Sequence, residues 1–299
     1  MSHHHGHHVS GHKLTWTVLL NVAITMGELI GGIWSGSVAL LSDAAHNFSD
    51  VLSLIIAWVA HRTARSRKQN IRQTYGYKRA EIVAAFINAA TLVVVALFLI
   101  YESIMRLLHP EPVKPDAVIY LAAFSVLANG LSVWLLHSSS KHNLNMKAAY
   151  WHLFSDMLTS VAVLLGGLLM KFYGIYYTDA VLGIGIALYL TYLGVNLWWE
   201  AFEILMQFAP KEIKINEINR RLSRIPQIKN IHHIHIWQLN ENEIHFEAHI
   251  LFADDIKISE FDRIAEEVER ILREEFGIFH TNLQPEYNRK EPHLYIIQD

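Results

Sequence analysis

Cysteine is absent from the 299-residue chain. That excludes disulfide scaffolds and thiolate metal sites, and it restricts any bound metal to His nitrogen and Asp or Glu oxygen. Charge is scarce over most of the length. Only 24 of the 53 Asp, Glu, Lys and Arg residues fall within 1–209, whereas 29 crowd into 210–299. The net charge of −3 lacks the basic excess that a nucleic-acid partner requires, so none is expected. The N-terminus has no basic stretch running into a short apolar core, so no cleavable signal peptide is expected either.

Apolar residues fill what charge leaves. They make up 52% of the chain and lie in long runs rather than in short periodic ones. Crossing about 30 Å of hydrocarbon takes roughly 20 mostly apolar residues. Six segments reach that length: 14–35, 38–60, 80–108, 115–136, 148–172 and 178–206. The first two are parted only by a Ser-Gly turn around Gly36, which predicts a tight helical hairpin. The chain therefore divides into a His-rich tail (1–13), a six-span all-α membrane domain (14–209) and a water-soluble module (210–299). Basic residues orient the spans. Lys13, Arg62, Arg65, Arg67, Lys68, Arg72, Lys78, Arg79, Lys141 and Lys147 fall on one side, against Arg106, Lys114 and Lys171 on the other. By the positive-inside rule both termini are cytoplasmic.

Past Pro210 the pattern changes. Residues 212–224 and 258–276 have helical apolar spacing with dense charge. Residues 230–239 and 244–252 alternate, with Ile244, Phe246, Ala248, Ile250 and Phe252 on one face and His245, Glu247 and His249 on the other. Shorter strand-like runs follow near 278–285 and 293–297. This order predicts a small α+β sandwich of the ferredoxin-like kind.

Charge inside a span is expensive, and each instance is a functional hypothesis. The second span carries His46 and Asp50, and the fifth carries His152 and Asp156. A spacing of four stacks each pair on one helical face. A single copy would read as a packing histidine or an internal ion pair. Two copies on different spans, near mid-depth, supply two imidazoles and two carboxylates, a complete tetrahedral set for a divalent ion such as zinc. Imidazole titrates near neutral pH, so protons and metal would compete for such a site. Glu28, Asp43, Asn47, Asn88 and Asn129 are further polar residues in the spans, read either as gating or orienting groups or as helix-to-helix hydrogen bonds.

The run Ser35-Gly-Ser-Val-Ala-Leu-Leu-Ser-Asp-Ala-Ala-His-Asn-Phe-Ser-Asp50 resembles the second-span signature of the cation diffusion facilitator family, and Trp151-His-Leu-Phe-Ser-Asp156 resembles its fifth-span counterpart. The resemblance covers nearly the whole chain. It implies a homodimeric metal/proton antiporter that exports metal from the cytoplasm by alternating access, with His46, Asp50, His152 and Asp156 as the transport site. It also implies zinc over cadmium, because His stands at 46. A second, regulatory zinc site in the cytoplasmic domain is implied at His232, His249 and Glu286, with Asp262 at a position where some members have a bridging His. The N-terminal His3, His4, His5, His7, His8 and His12 are either a zinc-collecting tail or a tail with no part in transport.

Departures from the family pattern bear on the reading. The run Gln73-Thr-Tyr-Gly-Tyr-Lys-Arg-Ala-Glu81 lacks the histidines that bind an extra ion in some members. Gln207 stands where an acid would pair with Arg79. Competing functions would draw on the same residues. An intramembrane metallohydrolase would need an open coordination position and a general base, and no His-Glu-x-x-His motif occurs. A zinc sensor without flux, or a manganese, iron or cobalt transporter of the same architecture, stays open at this stage. The chain lacks a long His-rich loop between the fourth and fifth spans, which leads to the expectation of a bacterial inner membrane.

Overall fold

In the computed structural model the described residues are 11–64, 74–140, 144–241 and 243–289. The histidines at 3, 4, 5, 7 and 8, the basic residues Arg65, Arg67, Lys68, Arg72 and Lys141, and the strand-like run at 293–297 lie outside them. The described residues form two compact units. One holds the chain up to Val59 together with Ala85–Trp198, and the other holds Ala60–Ala84 and the chain from Trp199 onward.

Six long helices come first: α1 (Gly11–Ser35), α2 (Val38–Ala64), α3 (Ala80–Leu108), α4 (Pro115–Ser140), α5 (Leu144–Tyr173) and α6 (Tyr177–Leu205). They follow the six apolar segments in order. Four of them, within Ala80–Leu108, Pro115–Leu135, Tyr150–Tyr173 and Tyr177–Leu205, are long and apolar enough to cross a membrane. α2 is as long, but Asp43, His46, Asn47 and Asp50 lower its hydropathy.

The turn between α1 and α2 has identifiable causes. Gly36 sits at φ +70°, a left-handed conformation that a side chain disfavours, and lets the chain reverse within two residues. Its carbonyl accepts from Arg106 of α3, and the Lys114 amide donates to the Ser35 carbonyl at 2.9 Å. Asp179 of α6 then caps α2. It accepts from the Ser37 hydroxyl and from the Val38 amide at 2.8 Å, satisfying helix-start donors with a carboxylate at the positive end of the helix dipole.

The second unit contains α7 (Ile215–Leu222), β1 (Ile228–Asn240), β2 (Glu243–Phe252), α8 (Ile258–Phe276) and β3 (His280–Tyr287). β1 pairs antiparallel with β2, and β2 pairs parallel with β3, giving the sheet order β1-β2-β3. α8 supplies the crossover that a parallel pair requires. It ends at Gly277, φ +67°, whose amide bonds the Arg273 carbonyl at 3.2 Å, a left-handed C-cap. Ile218 and Leu222 of α7 and Ile264, Val268, Ile271 and Leu272 of α8 bury the sheet face formed by Ile231, Ile234, Ile236, Phe246, Ala248 and Ile250. The alternation expected for β2 therefore holds.

β1 does not alternate throughout. His232 pairs with His249 but His235 pairs with Glu247, so three steps on β1 match two on β2. His233, at φ +51°, is the additional residue of this β-bulge. The bulge puts Ile231 and Ile234, three apart, on the same core face. His232, His235 and Trp237 then lie on the outer face, opposite His249, Glu247 and His245 of β2.

Candidate metal centres

α2 and α5 each present a His and an Asp four residues apart, and the structure brings the two pairs together. His46 Nε2 lies 3.2 Å from Asp156 Oδ1, and His152 Nε2 lies 3.3 Å from Asp50 Oδ2. Within each helix, His46 Nδ1 is 3.7 Å from Asp50 Oδ2 and His152 Nε2 is 3.6 Å from Asp156 Oδ2. The two imidazoles meet edge to face with centroids 5.9 Å apart. A tetrahedral ion with bonds of about 2.0–2.2 Å spaces its ligand atoms by roughly 3.3–3.6 Å. His46, Asp50 and Asp156 can each offer a ligand atom within 4.8 Å of the others, while His152 touches both carboxylates but lies outside that mutual range. Oδ2 of Asp50 and of Asp156 is buried and accepts no hydrogen bond, a cost that a bound cation would relieve. Burial is uneven: the Asp156 side chain is fully buried, while that of Asp50 is 25% exposed.

Neighbouring polar residues tie α2 to three other helices. Asn47, next to His46, donates to Glu28 of α1 at 2.8 Å, and Ser125 of α4 donates to the other Glu28 oxygen. Ser160 Oγ of α5 is 3.1 Å from both Asp43 Oδ2 and the Asp156 carbonyl. Asn88 of α3 reaches Ser49 Oγ at 3.4 Å. Of the polar residues singled out in the spans, Glu28, Asp43, Asn47 and Asn88 therefore join helices around the quartet. Their bonds restrain α2 beside α5. The Asp179 cap and the Ser125 and Ser160 partners were missed from sequence. Ser37 and Asp179 are 142 positions apart, and no local pattern pairs them.

A second cluster lies on the outer face of the sheet. Glu286 of β3 places Oε2 3.1 Å from His232 Nε2 and Oε1 3.0 Å from His249 Nδ1. The His232 and His249 rings meet at 5.5 Å, and His233 stacks on His249 at 4.5 Å. Burial holds the His232 imidazole below its ordinary pKa, and the Glu286 charge offsets part of that shift. A neutral imidazole is the form that binds metal. Arg289 and Gln284 also donate to Glu286 Oε1, at 2.7 and 3.2 Å, and an ion there would compete with them. His232, His249 and Glu286 can each offer a ligand atom within 4.8 Å of the others. Asp262 does not join them. It is exposed on α8, the helix that covers the opposite face of the sheet.

Among the described residues Arg79 has no acid at position 207, where Gln207 stands. Arg79 and Gln207 line one cavity of about 270 Å³ together with Tyr75, Gly76, Trp237 and Leu239. Arg79 Nε is buried without a hydrogen-bond partner, consistent with an amide where a carboxylate would be needed.

Four apolar helices of spanning length, with buried ionisable residues between helices and a separate α/β module, define a multi-pass membrane protein. Comparison with known proteins gives its family. The profile described as "Cation efflux transmembrane domain" matches residues 14–206, and "Cation efflux protein, cytoplasmic domain" matches 210–288. The chain belongs to the cation efflux family, also called the cation diffusion facilitators. It is 35% identical to the "Cadmium, cobalt and zinc/H(+)-K(+) antiporter" of Bacillus subtilis strain 168, covering 96% of this chain and 92% of that one. It is 33% identical to "Zinc transporter ZitB" of Escherichia coli K12, covering 96% and 93%. A solved structure titled as the metal-bound C-terminal domain of the CzcD transporter from Cupriavidus metallidurans is 24% identical, with TM-score 0.23, covering 25% of this chain and 99% of its own.

Proposed function

We propose that the protein exports zinc from the cytoplasm in exchange for protons, with His46, Asp50, His152 and Asp156 as the transport site. The observation that carries the proposal is the convergence of two imidazoles and two carboxylates from α2 and α5 at 3.2–3.7 Å. Two carboxylates offset the charge of a divalent ion, which lowers the cost of holding it between helices. Two imidazoles favour zinc over harder ions such as manganese, which prefer oxygen-rich sites. The names of the relatives, zinc transporters and a zinc/proton-potassium antiporter, support the same substrate and counter-ion.

In this reading zinc loads from the cytoplasm, the helices rock around the quartet, and protons from the far side displace the ion. All six long helices, within 14–209, span the bilayer with both termini cytoplasmic. Residues 210–299 form a ferredoxin-like module, and its α-β-β-α-β order is that of such a fold without its first strand. The module serves a homodimer in a bacterial inner membrane. His232, His249 and Glu286 hold regulatory zinc, and four protein ligands at the transport site leave no position for hydrolytic water.

Zinc flux into proteoliposomes, read with an internal dye and an imposed pH gradient, tests this for the native chain beside Asp50→Ala and Asp156→Ala. Native flux that follows the gradient and is lost in both variants is expected. Equal flux in all three would make the quartet structural, and flux indifferent to the gradient would end the antiport claim. Tight binding with no flux in any of them would favour a sensor.

A further inference from the structure

The strand register assembles a third set of metal-competent groups that neither the family motifs nor the sequence pattern single out. Trp237 on β1, His245 on β2 and His280 on β3 are aligned in one row across the sheet. Their rings stack: Trp237 on His245 at 5.2 Å with 17° between planes, and His245 on His280 at 4.7 Å with 9°. Glu243, at the start of β2, completes the group. Glu243, His245 and His280 each offer a ligand atom within 4.8 Å of the other two.

Three observations argue that this is more than a stack of rings. His245 is 7% exposed, and its Nε2 is buried with no hydrogen-bond partner. An imidazole nitrogen left in that condition is costly unless something binds it. Burial holds His245 below its ordinary pKa, which favours the neutral imidazole that can ligate. There is also a way in. His280 is exposed, and the cavity of about 270 Å³ is walled by Trp237 and Tyr75, the rings that touch His245 from the other sides.

We propose that Glu243, His245 and His280 form a binding site for a borderline divalent cation such as zinc or cobalt(II), regulated by Lys78. Two imidazoles and one carboxylate suit that class of ion, with water in the remaining position. The site is separate from the His232–His249–Glu286 cluster, because His249 lies four residues along β2 from His245, about 13 Å at strand rise. Lys78 Nζ sits 2.6 Å from Glu243 Oε2. An arriving dication must either take the other carboxylate oxygen beside an ammonium or displace it. Lys78 therefore weakens the site and delays its filling to higher metal concentration. When metal binds, the contact between the connector before α3 and the β1–β2 hairpin is loosened.

Zinc binding to the full chain in detergent, titrated against a chromophoric chelator, tests the assignment by differences between variants. His280→Gln changes an exposed residue and leaves the core untouched. It should remove one equivalent of bound zinc, or weaken that equivalent at least about tenfold. Lys78→Met should tighten the same equivalent by about tenfold, because a like charge is removed beside the ion. In the double variant the tightening should vanish. Identical isotherms for the native chain and His280→Gln would overturn the site. A gain from Lys78→Met that survives His280→Gln would overturn the role given to Lys78. Both results are independent of flux through the helices.

Discussion

The uneven burial of the intramembrane quartet makes a quantitative prediction. Asp156 and Asp50 supply the same group to the same place, but Asp156 is fully buried and Asp50 is a quarter exposed. Asp156→Asn preserves shape and removes one negative charge. Asp156 Oδ1 now faces His46 at 3.2 Å and its Oδ2 faces His152 at 3.6 Å, so each imidazole loses one of its two charged partners. Removing one member of a buried charged set costs about 3–5 kcal/mol, which is roughly two to nearly four decades in dissociation constant. Water can partly replace Asp50, so Asp50→Asn should lose only about one to two decades. Competition titration of zinc against a chelator of matched affinity, on the purified chain, reads both variants on one scale. Asp156→Asn should be the weaker binder by at least about tenfold. Affinity within threefold of native for Asp156→Asn, or the opposite order of the two variants, would refute the argument from burial.

Other outcomes follow from the second unit and the helical hairpin. Burial lowers the pKa of His232 and His245 from the ordinary 6.5, so the unfolded chain takes up protons that the folded one refuses. The stability this contributes is full above that ordinary value and is lost as pH falls through it. In chelator-treated protein the thermal transition followed by tryptophan fluorescence should therefore drop between pH 7.5 and 5.5. His245→Phe, which keeps a ring against Trp237, should flatten that dependence, and an unchanged slope would count against it. Gly277→Ala forces a side chain into φ +67° and should destabilise the second unit by about 1–2 kcal/mol in urea at unchanged m-value. Asp179→Ala removes the cap on α2 and should cost about 0.5–2 kcal/mol locally. Hydrogen exchange at Val38–Leu40 should rise several-fold, and protection equal to native would show that the cap contributes nothing.

Legibility in the sequence followed the range of the interaction. His46, Asp50, His152 and Asp156 could be paired because a spacing of four is a property of one helix, and two copies of it stood out against apolar surroundings. The six apolar segments located all six long helices for the same local reason. α2 reads as less apolar than its neighbours because it carries the polar residues of the site. The Asp179 cap and the Glu28–Asn47 bond could not be read, since their partners meet only after distant helices pack. In the second unit β2 was read correctly from its alternation. The bulge in β1 was not, although Ile231 and Ile234 break the period of two. Glu243 and His280 escaped notice altogether, because only the pairing of β2 with β3 brings them beside His245. Asp262 was placed by kinship, and in the structure it lies exposed on α8.

The additional residue at His233 has a consequence beyond the shape of the strand. It sets the phase of everything downstream on β1. Were it drawn into a regular ladder instead of bulging out, Ile234 and Ile236 would turn outward, and His235 and Trp237 would turn into the apolar layer against α7 and α8. The ring row beside His245 and the seal over the core would fail in one step. A shift that erased the metal-competent face would therefore also unfold the module, so the domain cannot keep its core while losing that face through a register slip.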